Sequence, residues 1–132
     1  MSTLVPPNNA IEISTFFTWM GNDGICRTIT KDNAEINLDN AAENTKTVTS
    51  FYSNKKFPLF IDSRSIKSIT RDARKHFSTN NRDTKINAMA IMVKSSLSRV
   101  IGNFFMGLNK PQVPARLFDD ETVAINWLKQ YL

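Results

Sequence analysis

The chain has 132 residues, enough for one domain with one core and too few for two. Composition is ordinary for a globular domain, with 41% hydrophobic and 22% charged residues. No apolar run approaches the ~20 residues of a membrane span, the start MSTLVPPNNA lacks the basic and apolar regions of a signal peptide, and the single cysteine excludes an internal disulfide framework.

A cytoplasmic protein is the expectation. Residues 1–9 read as a flexible arm, because Pro6, Pro7, Asn8 and Asn9 are turn and breaker residues. Residues 10–132 read as one domain. IEISTFFTWM (11–20) is rich in β-branched and aromatic residues and predicts a strand. GNDG (21–24) is a turn, and ICRTIT (25–30) pairs back as a hairpin. After the KDN turn, AEI (34–36) adds a short strand.

Asn37 or Asp39 caps a helix running to about Ser53. Leu38, Ala41, Ala42, Thr45, Val48, Phe51 and Tyr52 fall on one face of it. FPLFID (57–62) is a continuous apolar run, the pattern of a strand covered on both sides. Ser68 or Thr70 caps the next helix, in which Ile69, Ala73 and Phe77 share a face. STNNRD (78–83) is loop, and INAMAIMV (86–93) is a second central strand.

Ser95 or Ser96 caps a third helix, whose Leu97, Val100, Ile101, Phe104, Phe105 and Leu108 form an apolar stripe. KPQVP ends it, since proline cannot continue a helix. ARLF (115–118) is a short strand. Asp119 caps the last helix, with Phe118 against Val123 as its hydrophobic staple and Val123, Ala124, Trp127, Leu128 and Tyr131 as its buried face. Strands and helices alternating after an opening hairpin predict an α/β domain: a mixed sheet of about five strands, mainly parallel after the hairpin, with about four helices.

Charge is spread unevenly. Residues 1–54 carry −3, residues 55–116 carry +10 and residues 117–132 carry −2. A basic middle suits an anionic partner, such as nucleic acid, a lipid headgroup or an acidic protein, or simply a solvated surface. The densest part is PLFIDSRSIKSITRDARKHF (58–77). It runs from a strand end at Asp62 to a helix start, where free backbone N–H groups favour anions. If Arg64, Lys67, Arg71 and Arg74 converge there, they make an anion site with Ser68 or Thr70. If they fan outward, the serine is only a helix cap.

Little else carries chemistry. His76 is the only histidine, which argues against a His/Cys metal cluster. Cys26, His76 and Asp62 can be written as a nucleophilic set, but nothing in their spacing joins them. The sequence holds no GxGxxG, Walker loop, HExxH or GxSxG. An enzyme is therefore not expected, and no cofactor is implied. Asp119, Asp120 and Glu121 read as helix N-terminal charge. Nucleic-acid binding would need exposed aromatics among the basic residues, and Phe77 fits a buried face instead.

The element order, LFIDSRSIKSITRDAR, RVIGNFFMGLNKPQVPARLF and the closing AINWLKQYL together resemble the SpoIIAA-like fold. That fold is shared by anti-sigma-factor antagonist (STAS) domains, CRAL-TRIO lipid-transfer domains and small single-domain bacterial proteins. The resemblance covers roughly residues 10–132. In phospho-regulated STAS domains the central strand ends in an Asp, and an Asp-Ser-Ser/Thr-Gly stretch then opens a helix and carries the phosphorylated hydroxyl. Asp62 matches the strand-end acid. Lys67 stands where the motif has Asp, Ile69 near the phosphoacceptor and Thr70 where it has Gly. Ser68 or Thr70 would serve only in a shifted register.

The resemblance implies a regulatory or protein-interaction domain, binding a protein partner or a second copy of itself. The expected surfaces are Asp62, Arg64, Lys67, Ser68, Thr70 and Arg71 at the joint, and Arg99, Phe105, Met106 and Lys110 on the third helix. The alternative is a carrier of a small amphipathic or lipid-like ligand beneath residues 97–108.

Overall fold

A computed structural model of the chain describes residues 5–79, 85–94, 99 and 113–132. Eight strands and three α-helices are seen among them: β1 (Ile11–Glu12), β2 (Phe16–Met20), β3 (Cys26–Thr30), β4 (Ala34–Ile36), α1 (Leu38–Thr49), β5 (Phe57–Asp62), β6 (Ile66–Ile69), α2 (Arg71–Thr79), β7 (Ile86–Met92), β8 (Ala115–Phe118) and α3 (Glu121–Leu128). A 3₁₀ turn, Lys129–Tyr131, follows α3. The expected third helix lies outside the described residues, apart from Arg99, which is helical and exposed.

Six strands form the main sheet in the order β1-β2-β3-β5-β7-β8. β1 to β3 pair antiparallel, and β3, β5, β7 and β8 run parallel. The opening hairpin followed by parallel crossovers is the α/β arrangement expected. The single strand expected over 11–20 is two: the chain turns at 13–15 and β1 folds back on β2, with Ile11 opposite Thr18. The imperfect alternation of this stretch has its origin in that turn.

The apolar run of β5 is covered on both faces. Phe60 packs with Ile25, Ala88, Ala90 and Met92 beneath Ala124 and Leu128 of α3. Phe57 and Leu59 pack with Cys26 and Ile86 beneath Val48 of α1. Three fully buried alanines, Ala88 and Ala90 of β7 and Ala124 of α3, let the helix approach the strand closely. Pro58, which has no N–H for a ladder, sits beside a bulge that leaves Asn87 as the extra residue of β7. The bulge aims Asn87 at the C-terminal turn, where its Nδ2 donates to the Tyr131 carbonyl at 2.6 Å.

α1 starts at Asn37 with a reciprocal capping box to Asn40 and ends at Thr49, four residues short of the expected end. Its buried positions are Ala41, Asn44 and Val48, whereas Leu38 and Ala42 are exposed. Asn44 bridges two buried strand threonines: Nδ2 donates to Thr28 Oγ1 at 2.8 Å, and Thr28 Oγ1 lies 2.9 Å from Thr18 Oγ1. α3 is capped by Asp120, not Asp119: the Asp120 carboxylate accepts from the Val123 N–H at 3.0 Å. Val123 is more than half exposed and forms no staple with Phe118, which packs on Trp127 instead.

The stretch after Asp62 also differs from expectation. It contains a strand: β6 pairs with β4 in a separate two-stranded parallel sheet, with Ser68 opposite Glu35. This pair packs on α1 and α2 through Ala34, Ile36, Ala41, Ile66 and Ala73, joined by Ile69 and Phe77.

Candidate functional site

The carboxyl ends of the parallel strands β3, β5, β7 and β8 lie at one edge of the sheet, where open α/β sheets bind ligands. The joint singled out in the sequence sits there. Asp62, 1% exposed, holds Arg64 through both carboxylate oxygens: Nε donates to Oδ1 at 2.9 Å and Nη2 to Oδ2 at 2.8 Å. The Arg64 N–H also donates to Oδ1, at 3.1 Å. Arg64 Nη2 reaches across to Glu121 at the start of α3 as well, and the Arg64 side chain is only 9% exposed.

The Asp62 carboxylate, and then Glu121, hold the Arg64 guanidinium more firmly protonated than a free arginine. Bidentate geometry is the strongest form of this contact. The backbone is tied down too. Thr30 Oγ1 donates to the Asp62 carbonyl at 3.2 Å, and Ser63 Oγ donates to the Met92 carbonyl at 2.8 Å. Asp62, Arg64 and Glu121 therefore weld the end of β5 to the start of α3. Arg64, expected to hold an acidic group of a partner, holds two acids of its own chain.

The remaining joint residues lie beyond this weld. Lys67 and Ser68 are exposed on β6, Thr70 is exposed, and Arg71 opens α2 in solvent. Thr70, not Ser68, is the helix cap: its Oγ1 accepts from the Ala73 N–H at 3.2 Å. Arg74 is turned back, with Nη1 donating to the Ile69 carbonyl at 3.5 Å. Of the four hydroxyls in this stretch, Ser63 is buried and bonded, the Ser65 Oγ is buried, and Ser68 and Thr70 are open to solvent. Asp72 is the one exposed acid between Lys67 and Lys75.

Cys26, His76 and Asp62 face different neighbours. Cys26 is fully buried, and burial pushes its thiol pKa up to about 12. His76 Nε2 lies 2.9 Å from Thr45 Oγ1, joining α2 to α1. No group of three or more His, Cys, Asp or Glu among the described residues is placed to hold a metal ion. No helix among them is long and apolar enough to cross a membrane. Phe105, Met106, Lys110 and, apart from Arg99, the segment 97–108 proposed to line a ligand cavity lie outside the described residues.

Sequence reasoning missed one feature of the site and one of the core. Glu121 was read only as helix-terminal charge, and its partner Arg64 is 57 residues away in the chain. Asn44 was hidden inside an otherwise apolar helical pattern.

Among solved structures, the chain is similar to an uncharacterized protein of the DUF3478 family with a SpoIIAA-like fold, from Shewanella loihica PV-4. The TM-score is 0.59 at 14% identity, over 86% of this chain and 91% of that one. A protein of unknown function from Arthrobacter sp. FB24 is 26% identical over 84% of this chain and 90% of that one, with a TM-score of 0.32. No curated protein is a significant match. The first likeness establishes a SpoIIAA-like fold. Residues 18–132 match the model of DUF7793, a domain of unknown function, and the chain belongs to that family.

Proposed function

We propose that this SpoIIAA-like chain is a non-enzymatic protein-interaction domain that takes an acidic protein segment on the exposed surface of β6 and α2. One observation carries the reading. The weld removes Arg64 from the basic stretch together with Asp62, and leaves Lys67 and Arg71 exposed in a stretch whose one exposed acid is Asp72, with Glu35 of β4 exposed opposite Ser68. Such a surface steers and orients an acidic partner more than it adds raw affinity. Ser68 and Thr70 are exposed in the same stretch, so a phosphate on either would lower its positive charge and weaken the binding.

The reading is tested with a fluorescently labelled poly-glutamate peptide, followed by anisotropy. Binding should weaken with rising salt. The double reversal Lys67→Glu/Arg71→Glu should weaken it by about tenfold or more without changing the melting temperature. Binding that is absent, or unchanged by the double reversal, would overturn the reading.

A further inference from the structure

The end of the sheet opposite the weld carries a second basic surface, independent of the β6–α2 face. This is the amino end, where the parallel strands begin and α1 and α3 finish. Val48, in the last turn of α1, packs with Cys26, Phe57 and Ile86, the first residues of β3, β5 and β7. On the other face of the sheet, Asn87 near the start of β7 bonds the Tyr131 carbonyl, and Leu132 lies against Gly24 of the hairpin turn. Five lysines belong to this end. Lys46 is in the last turn of α1, Lys55 and Lys56 lead into β5, Lys85 leads into β7, and Lys129 follows α3. The Phe57 N–H donates to the Lys85 carbonyl, which sets Lys56 and Lys85 on adjacent strand starts. Lys85 is half-buried and the other four are exposed. None of the five has an acid partner among the described residues. The one described acid at this end, Asp23, is taken by Arg27. The other described acids lie toward the opposite end: where β3, β5 and β8 finish, where the three helices start, and on β1 and β4, with Glu43 of α1 accepting from the Ser14 N–H.

The build of this end favours one occupant. Its lysines come from elements on both faces of the sheet and from the strand starts between them. They are spread over a blunt end, not along one helix or ribbon that could enter a nucleic-acid groove. Both helices meet it with their carbonyl ends, which offer no free N–H groups to a single bound phosphate. What this end presents is a spread of flexible, strongly hydrated point charges, with Leu132 more than half exposed at its α3 side. We infer that the amino end of the sheet docks on an anionic phospholipid membrane, with the lysines among the headgroups and Leu132 at the interface. The gathering of acids toward the opposite end turns the lysines to such a surface as the chain approaches it. With one exposed leucine as its apolar contact, the binding is peripheral, reversible and sensitive to salt.

Co-sedimentation of the full chain with vesicles tests this, using phosphatidylcholine alone and phosphatidylcholine mixed with phosphatidylserine at about two to one. Three double reversals run alongside, with melting curves to verify folding. Lys55→Glu/Lys56→Glu and Lys46→Glu/Lys129→Glu alter the amino end, and Lys67→Glu/Arg71→Glu makes the same change in net charge elsewhere. The expected result is wild-type binding to the mixed vesicles only, weakening with added salt. Each amino-end reversal should lower the partition coefficient at least about tenfold, and Lys67→Glu/Arg71→Glu by less than about threefold. A wild-type chain that stays off the mixed vesicles at low salt would overturn the inference. So would equal losses in all three folded variants, or a chain that ignores vesicles and binds a duplex oligonucleotide through these lysines.

Discussion

Arg64 sits between two carboxylates drawn from distant parts of the chain, and the consequences can be tested one side chain at a time. Asp62 is the inner partner, bidentate and almost wholly buried. Glu121 is the outer one, with a side chain 20% exposed. Removing Arg64 leaves the Asp62 charge buried without its counterion, and Arg64→Ala is expected to cost about 3 kcal/mol or more. Glu121→Gln keeps the inner pair and should cost about 1 kcal/mol. Urea unfolding of both variants checks the order, and equal losses would contradict it.

Two other residues give predictions of their own. Cys26, fully buried with its thiol pKa pushed up to about 12, should not react with a disulfide reagent at pH 8 in the native chain, and should react in full after unfolding. Asp23 is held below its ordinary 3.8 chiefly by the Arg27 guanidinium, which donates to both carboxylate oxygens at 2.9 and 2.8 Å. A depressed carboxyl stabilises the fold above its unfolded-state value, and that contribution is lost as pH falls through the lower folded value. The stability gap between wild type and Asp23→Asn should therefore be open at pH 7 and close in acid below 3.8. A gap that persists there would contradict the pairing.

Among the elements, those specified by near neighbours were legible and those specified by distant ones were not. The continuous apolar run of β5, the hairpin of β2 and β3 around GNDG, and the strands β7 and β8 all follow from local pattern and turn residues. The Asn37 cap was one of two local candidates, and it is the residue used. β6 was missed because its partner β4 lies about thirty residues earlier, and nothing inside SIKSI announces that pairing. With a strand in that place, Thr70, the second of the two expected cap candidates, is the one used. A direct check follows. Thr70→Ala should cost about 1 kcal/mol as the loss of a cap, whereas Ser68→Ala, on an exposed strand position, should stay within about 0.5 kcal/mol. The same distance argument applies to the site: Asp62 and Arg64 are neighbours whose pairing could be guessed, whereas Glu121 joins them only through the fold.

At the scale of the whole molecule, the charge imbalance of the sequence acquires a location. Within the β5–α2 stretch, part of the basic excess is neutralised internally at the Asp62–Arg64–Glu121 weld, and part remains on β6 and α2. At the sheet edge that binds ligands in many α/β proteins, the end of β5 is here bonded to the start of α3, and the proposed partner surface on β6 and α2 lies outside that weld. The most direct measurement is a residue-resolved NMR titration of the labelled chain with the poly-glutamate peptide. The prediction is that shifts cluster at Lys67, Ser68, Thr70 and Arg71 and fade with added salt, while the Arg64 and Asp62 signals stay in place. Shifts centred on Asp62 and Arg64, or scattered over the molecule with no cluster on β6 and α2, would contradict it.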